Sequence, residues 1–316
     1  MLNFCSGNFS LTLTSKFIGM KITAVAVVGA GTMGNGIAHS FAQHGFWVTL
    51  IDVSPEQLEK AKTAISRNLD RMVTKGLLQQ EQKLATLSRL SWETSLSKGV
   101  QQADLIVEAV SERQDLKQNL FRDFDSLAPQ HCILASNTSS LSITALAQHT
   151  RRPDKVIGMH FMNPVPVMKL VEIIQGKQTA PQVTEAIVRI CEQLGKTPCV
   201  VHDAPGFIAN RILLPMLNEA VFCLQEGIAG VEAIDTIMRL GMSHPMGPLQ
   251  LADFIGIDVC LSILQVIQEG FNSSKYQPCP LWEKLVKAQQ LWVKTGKGFY
   301  VYDSLGKTSG VNPLFQ

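Results

Sequence analysis

A short apolar run that ends in a glycine-rich turn constrains this chain more than any other feature. Residues 24–29, AVAVVG, read as a buried parallel strand, continuous rather than alternating in hydrophobicity. The run passes directly into Gly29-Ala30-Gly31-Thr32-Met33-Gly34, and a helical pattern, GIAHSFAQHG, follows and stops at Gly45. A second strand from Trp47 to Ile51 ends at Asp52, an acid 18 residues beyond Gly34. A G-x-G-x-x-G spacing alone is a weak signal. Between a strand and a helix, with an acid about 20 residues on, it is the dinucleotide-binding fingerprint. Gly29 allows the tight turn, Gly31 lets the backbone approach a pyrophosphate, and Gly34 permits close helix-to-strand packing. Thr32 and Met33 open the helix whose N-terminus favours the negative charge. Asp52 is suited to accept hydrogen bonds from an adenosine ribose and to repel a 2′-phosphate, so NAD is the expected cofactor rather than NADP. A structural βαβ unit without a ligand is the alternative.

From Pro55 to about Leu90 the pattern is helical with a break at Gly76, which predicts a helical hairpin in place of a simple crossover. Arg67, Arg71 and Lys75 are four apart and share one face of it. That basic stripe is either a solvated face or a contact for a polyanionic ligand. Asp104–Val110, DLIVEAV, is the next buried strand, followed by Ser111-Glu112 and a helix containing Lys117. Another strand begins at Cys132–Ala135, with Ser136-Asn137-Thr138-Ser139-Ser140 at its carboxyl end. Ligands of open parallel α/β sheets bind outside the carboxyl ends of strands, which points at Glu112, Asn137 and Ser139 together. Ser140 is equally suited to cap the helix that begins SLSITALAQ. No G-x-S-x-G elbow is present, so a serine nucleophile is not expected.

In VIGMHFMNPVPVMKLVEII, residues 156–174, two β-rich runs flank Asn163-Pro164-Val165-Pro166. If the chain reverses near Pro166, cross-strand partners have numbers summing to 332, and His160 and Glu172 meet that sum. Such a register sets an imidazole opposite a carboxylate on one face of the ladder. A carboxylate there can fix the ring's tautomer and stabilise the imidazolium formed when histidine takes a proton. An ordinary hairpin with one polar cross-strand pair is the plainer reading.

Beyond Pro181 a helix and a last strand, Thr197–Val201, lead to His202-Asp203-Ala204 and then Pro205-Gly206, a plausible boundary. Residues 20–203 therefore form the nucleotide-binding unit and 204–316 a second, helical unit. The segments 207–226, 231–240, 249–254, 259–269 and 281–288 carry helical patterns, with Pro215 as a kink in the first. They are too apolar for solvated helices. Cys223, Leu224, Val259, Leu261, Ile263 and Leu264 suggest burial against the first unit or a second subunit, and a homodimer is the simplest closed solution. The tail KTGKGFY, 294–300, is a Gly-rich turn with two cations, suited to an anionic ligand or a surface bend.

A hydrophobic share of 46%, a charged share of 17% and a formal charge of +2 fit a soluble globular protein and argue against nucleic acid as a partner. Seven scattered cysteines with no Cys-x-x-Cys spacing read as buried thiols of a reducing compartment, not as a disulfide frame or metal site. No apolar run is long enough to span a membrane. Residues 1–19 make a poor signal peptide and lack the arginines of a mitochondrial presequence. Met20, followed at once by a strand, reads as the true start, and the expected location is cytoplasmic, with the mitochondrial matrix as the alternative.

The stretches VVGAGTMGNGIA, LIVEAVSE, ASNTSSLSIT, GMHFMNPVPVMKLVEII, PGFIANRI, HPMGPLQLADFIGID and KTGKGFY, in that order, closely resemble the L-3-hydroxyacyl-CoA dehydrogenase family, including bacterial 3-hydroxybutyryl-CoA dehydrogenases. The resemblance implies a Rossmann-type, mostly parallel sheet with a helical-hairpin insertion, followed by an all-α C-terminal domain. It implies NAD-dependent interconversion of (S)-3-hydroxyacyl-CoA and 3-ketoacyl-CoA, with short-chain acyl-CoA thioesters as substrates. His160 matches the family's general base and Glu172 its paired acid, while Ser139 and Asn210 match groups contacting the substrate oxygen or the histidine. Asp52, Glu112, Lys117, Ser139, Asn163 and Lys294 match cofactor contacts. Asn68 and Lys75, with Ser139, match contacts to the coenzyme A substrate. The chain departs from the common pattern at Trp292, where the tail often has Gly, and at Asn68, where some relatives have Ser. The rival readings are a dehydrogenase of a free 3-hydroxy acid and an NAD-binding protein without turnover.

Overall fold

The computed structural model describes residues 21–291 and 295–316. Met20 with the segment before it, and Trp292 and Lys294 of the tail, lie outside the described residues. The first half alternates strand and helix. The order is β1 (Ala24–Val28), α1 (Thr32–Gln43), β2 (Trp47–Ile51), α2 (Pro55–Thr74), α3 (Gln80–Ser88), β3 (Leu90–Glu93), α4 (Leu96–Gly99), β4 (Leu105–Glu108), α5 (Gln114–Leu127), β5 (Ile133–Ser136), α6 (Ile143–Ala147), β6 (Val156–Phe161), β7 (Leu170–Gln175), α7 (Pro181–Gln193) and β8 (Thr197–His202). These build one eight-stranded sheet in the order β3-β2-β1-β4-β5-β6-β7-β8. Only the β6–β7 pair is antiparallel.

The buried strands read as continuous apolar runs because both faces of the sheet are covered. Val25 and Val27 of β1 face the layer with α1, α2 and α7. Ala26 and Val28 face the opposite layer with α5 and α6. The period of two thus divides one run between two cores. The helical hairpin falls where the composition places it: Ser54 caps α2 by accepting the Gln57 N–H, Pro55 begins the helix, and Gly76 turns the chain at φ 68°. The structure adds β3, which the helical reading of this region up to Leu90 does not include. Its four residues, LSWE, are too few to declare a period, and pairing with β2 makes them a strand.

The second half is helical: α8 (Ala209–Gln225), α9 (Val231–Thr236), α10 (Pro248–Ile255), α11 (Ile257–Phe271) and α12 (Pro280–Lys287). Pro215 lies inside α8, which continues through it as one helix. Leu261, Ile263 and Leu264 pack within this half's own core, whereas Val259 is exposed. Buried Asn218 holds the far end by accepting the Cys279 N–H and the Trp282 indole N–H. The half is not wholly helical, because β9 (Tyr300–Tyr302) and β10 (Thr308–Val311) form an antiparallel hairpin. Asp253 of α10 anchors it by accepting from the Phe299 and Tyr300 N–H groups and the Tyr302 hydroxyl, a tertiary device that no local period announces. Among the described residues, no single helix is long and apolar enough to cross a membrane. Cys132, Cys191, Cys260 and Cys279 are buried free thiols, as expected, but Cys199 on the edge strand β8 is exposed.

Candidate active site

The loop between β1 and α1 has the geometry its glycines require. Gly29 sits at φ 104°, and an added Cβ would lie 2.6 Å from the Ala109 carbonyl oxygen. A Cβ on Gly34 would stand 1.7 Å from the Gly29 carbonyl oxygen, so the first turn of α1 closes on the strand end only without a side chain. Gly31 is different: a Cβ there meets nothing within 4 Å. Its backbone faces open space, as a residue approached by a ligand should. Gly31 caps α1 without a side-chain acceptor, and the first amide with an intrahelical partner is that of Asn35. The N–H groups of Thr32, Met33 and Gly34 have no acceptor among the described residues, leaving donors for an anion. Asp52 sits where the fingerprint places it and also shapes the loop, accepting from Ala30 N–H at 2.8 Å and Ser54 N–H at 2.9 Å. These features fit a dinucleotide.

The ends of β4 and β5 meet in a buried polar cluster. Glu108, the last residue of β4, is fully buried and accepts from Lys117 Nζ (2.8 and 3.0 Å), the Ser136 hydroxyl (2.6 Å) and the Val110 N–H (2.7 Å). Lys117 also meets Glu112 at 3.0 Å. The other oxygen of Glu112 gathers the loop after β5, accepting the Thr138 hydroxyl, the Ser139 N–H (2.9 Å) and the N–H and hydroxyl of Ser140. Burial opposes ionisation of Glu112, but Lys117 and these hydroxyls outweigh it and hold the carboxyl below the usual range. Lys117 is 1% exposed and enclosed between two carboxylates, and so sets the position of Glu112. Ser140 does not cap the next helix; Ser142 does, accepting the Ala145 N–H, while Ser140 binds Glu112.

The antiparallel register brings His160 of β6 opposite Glu172 of β7, the numbers summing as the reversal near Pro166 requires. His160 Nδ1 lies 3.0 Å from Glu172 Oε2, and both residues are buried. Glu172 Oε1 accepts the N–H groups of Ile208 (2.8 Å) and Ala209 (3.1 Å) at the start of α8. Burial alone would raise this carboxyl; the imidazole and the two amides hold it below its ordinary value. An ionised Glu172 only accepts, so Nδ1 bears a proton, and in the neutral ring the lone pair lies on Nε2. Nε2 has no hydrogen-bond partner among the described residues. Phe207, at φ 50°, lies with its ring centroid 6.0 Å from the imidazole and lines the pair's apolar side.

Asn210, on the first turn of α8, donates Nδ2–H to the Ser139 carbonyl at 2.9 Å, tying the helical half to the loop after β5. Asn137 Oδ1 accepts the Phe161 N–H at 2.9 Å and so fixes the end of β6 beside His160. The Ser139 side chain is half-exposed and Asn163 is exposed in the β6–β7 loop. Asn68 and Lys75 stand apart on the helical hairpin, half-buried and exposed respectively. Lys294 lies outside the described residues. Among the described residues no cluster of histidine, cysteine, aspartate and glutamate has the form of a metal site. Sequence reasoning did not single out Glu108, Thr138 or Phe207. An acid closing an otherwise apolar buried strand was the one available signal, for Glu108.

A doubly covered parallel sheet with this glycine loop, an acid closing its second strand and a buried His–Glu pair at the same edge defines a Rossmann-type dehydrogenase with a helical second half. Residues 24–204 match the model described as 3-hydroxyacyl-CoA dehydrogenase, NAD binding domain, and residues 206–302 match the C-terminal domain of the same family. The chain belongs to the 3-hydroxyacyl-CoA dehydrogenase family, and NAD is its cofactor. It is 49% identical to a probable 3-hydroxybutyryl-CoA dehydrogenase of Bacillus subtilis over 290 residues, 92% of this chain and all of that one. It is 41% identical to the human mitochondrial hydroxyacyl-coenzyme A dehydrogenase, covering 88% of this chain and 90% of that one. The crystal structure of (S)-3-hydroxybutyryl-CoA dehydrogenase from Ralstonia eutropha superposes with a TM-score of 0.87 at 45% identity, covering 90% of this chain and all of the other.

Proposed function

We propose that the protein interconverts (S)-3-hydroxyacyl-CoA and 3-ketoacyl-CoA, with short acyl chains such as 3-hydroxybutyryl and acetoacetyl. The buried His160–Glu172 pair carries this reading. NAD, when bound, accepts hydride from the carbinol carbon, and that carbon releases hydride only if its hydroxyl proton leaves too. His160 Nε2 is the base for that proton, because Glu172 engages the other ring nitrogen. Glu172 then stabilises the imidazolium and keeps the ring from turning. Ser139 and Asn210 orient the substrate oxygen at the joint between the two halves. In reduction the imidazolium returns its proton to the 3-keto oxygen.

In this reading residues 20–203 hold the cofactor, with Gly29, Gly31, Thr32, Met33 and Gly34 at the pyrophosphate and Asp52 at the ribose. Glu112, Lys117 beside it, Ser139, Asn163 and Lys294 complete the contacts. Residues 204–316 carry substrate and subunit contacts. The exposed side chains of Ile212, Leu240, Met242 and Phe254 support a homodimer, since a single copy leaves them to water. The basic face of Arg67, Arg71 and Lys75 suits the phosphates of coenzyme A. We place the enzyme in the cytoplasm on the strength of its thiols and its bacterial relatives. The test compares acetoacetyl-CoA with free acetoacetate as oxidants of NADH. Turnover of the thioester and not the free acid is expected; preference for the free acid would overturn the substrate assignment.

A further inference from the structure

The loop between His160's strand and Glu172's strand is held by a buried cation that the mechanism above does not use. Lys196, which follows Gly195 after α7, is 9% exposed. Its ammonium donates to the carbonyls of Val165 at 2.5 Å and Met168 at 2.7 Å. No carboxylate pairs with it among the described residues. Around it the loop makes a single helical turn, with the Val167 and Met168 N–H groups both donating to the Pro164 carbonyl. The ammonium thus takes the carbonyls that a turn this short leaves unpaired, at the end where a cation is favoured. On the loop's other side buried Val165 rests against Gly36 of α1, where an added Cβ would come within 3.0 Å of the valine Cβ. The turn is clasped between Lys196 and the helix that begins at the dinucleotide loop. Asn163 stands at its entrance, two residues beyond the end of β6.

We propose that Lys196 is a positioning residue for cofactor binding and hydride transfer, holding the 162–169 turn so that Asn163 stays at the nicotinamide side of the site. This rests on the assignment of Asn163 as a cofactor contact given above. Burying an unpaired ammonium is unfavourable, and an apolar chain of equal length would fill the space without that cost. The two carbonyls are what the charge serves.

The test uses the full chain with Lys196→Met and Lys196→Arg. Lys196→Met should weaken NADH binding and lower kcat by about tenfold or more, while KM for acetoacetyl-CoA changes less than about threefold. Peptides covering 162–169 should exchange amide hydrogen faster, and Lys196→Arg, which restores donors, should recover most of the loss. A folded Lys196→Met with wild-type NADH affinity and kcat would overturn the proposal, as would equal effects on both substrates. Should Lys196→Met fail to fold, Lys196→Gln carries the same measurements and the same two outcomes. NADH binding and exchange are read without turnover, so a wild-type protein inert toward acetoacetyl-CoA would contradict the function and leave this test standing.

Discussion

Glu172 accepts from His160 at 3.0 Å with one carboxylate oxygen, while its other oxygen accepts the first amides of α8. The acid therefore fixes the base and the seam between the two halves at once. A carboxylate tied only to the histidine could turn away with it; one also held by two backbone amides cannot. This gives Glu172→Gln a defined effect. The amide can still receive the Ile208 and Ala209 N–H groups through its oxygen, but it then offers Nδ1 of His160 a donor. The ring is driven to the wrong tautomer. Both Glu172→Gln and His160→Ala should lower kcat by about 10²–10⁴-fold with NADH affinity near wild type. Steady-state kinetics with NADH titration checks this, and near-wild-type turnover in both variants would refute the pair's role.

Two glycines three residues apart should both be needed for NADH binding but differ in what they do for stability. Gly34→Ala puts a methyl 1.7 Å from the Gly29 carbonyl oxygen, a backbone atom that cannot swing aside as the end of a flexible side chain would. The strand–helix junction must open, and both stability and NADH binding should fall. Gly31→Ala meets no protein atom within 4 Å, so the fold should lose about 1 kcal/mol or less, the cost of alanine at an N-cap. Its NADH affinity should nonetheless drop by about tenfold or more, because the methyl occupies the path of the pyrophosphate. Thermal melting beside NADH titration separates the two.

Lys75→Glu reverses a charge on the exposed end of the helical hairpin, apart from the His–Glu pair. KM for the CoA thioester should rise while KM for NADH hardly changes. Weaker effects at higher salt should accompany it, since exposed charges are screened. Equal changes for thioester and cofactor would mean that the basic face does not meet coenzyme A.

His39 gives the stability a pH dependence of known sign. It is fully buried in α1 with neither ring nitrogen hydrogen-bonded, and burial pushes its pKa down to about 4. The unfolded chain binds its proton from the ordinary value of 6.5 downward, so stability falls as pH drops from there to about 4. The whole loss is on the order of 3 kcal/mol. Asp253, raised by burial from 3.8 to about 7, contributes with the opposite sign across that whole range. The difference between wild type and His39→Leu isolates the histidine. Denaturant melts at pH 7 and pH 5 should show the leucine variant gaining relative stability at the lower pH. No change in that difference would contradict the buried neutral ring.

What could be read from the residues alone follows from how each contact is made. The dinucleotide loop and the β6–β7 register were legible because their determinants are consecutive: glycines at fixed offsets, and a proline-marked reversal at Pro166 that sets which residues pair. The Ser142 cap was misplaced at Ser140 because both serines precede the same helix and only the distant Glu112 decides between them. Glu108 stayed hidden inside an apolar run, since its partners Lys117 and Ser136 come from separate elements. The β9–β10 hairpin was missed for the same reason. Its anchor, Asp253, lies 46 and 47 residues before the amides it holds.

The most direct measurement of the central claim is NADH oxidation with acetoacetyl-CoA, made on the wild-type protein beside His160→Ala. The wild type should consume NADH in step with formation of 3-hydroxybutyryl-CoA, and the variant should bind NADH while turnover falls by about 10²-fold or more. A wild-type protein that binds NADH but leaves acetoacetyl-CoA unreduced, or a variant that turns over as fast as wild type, would contradict it.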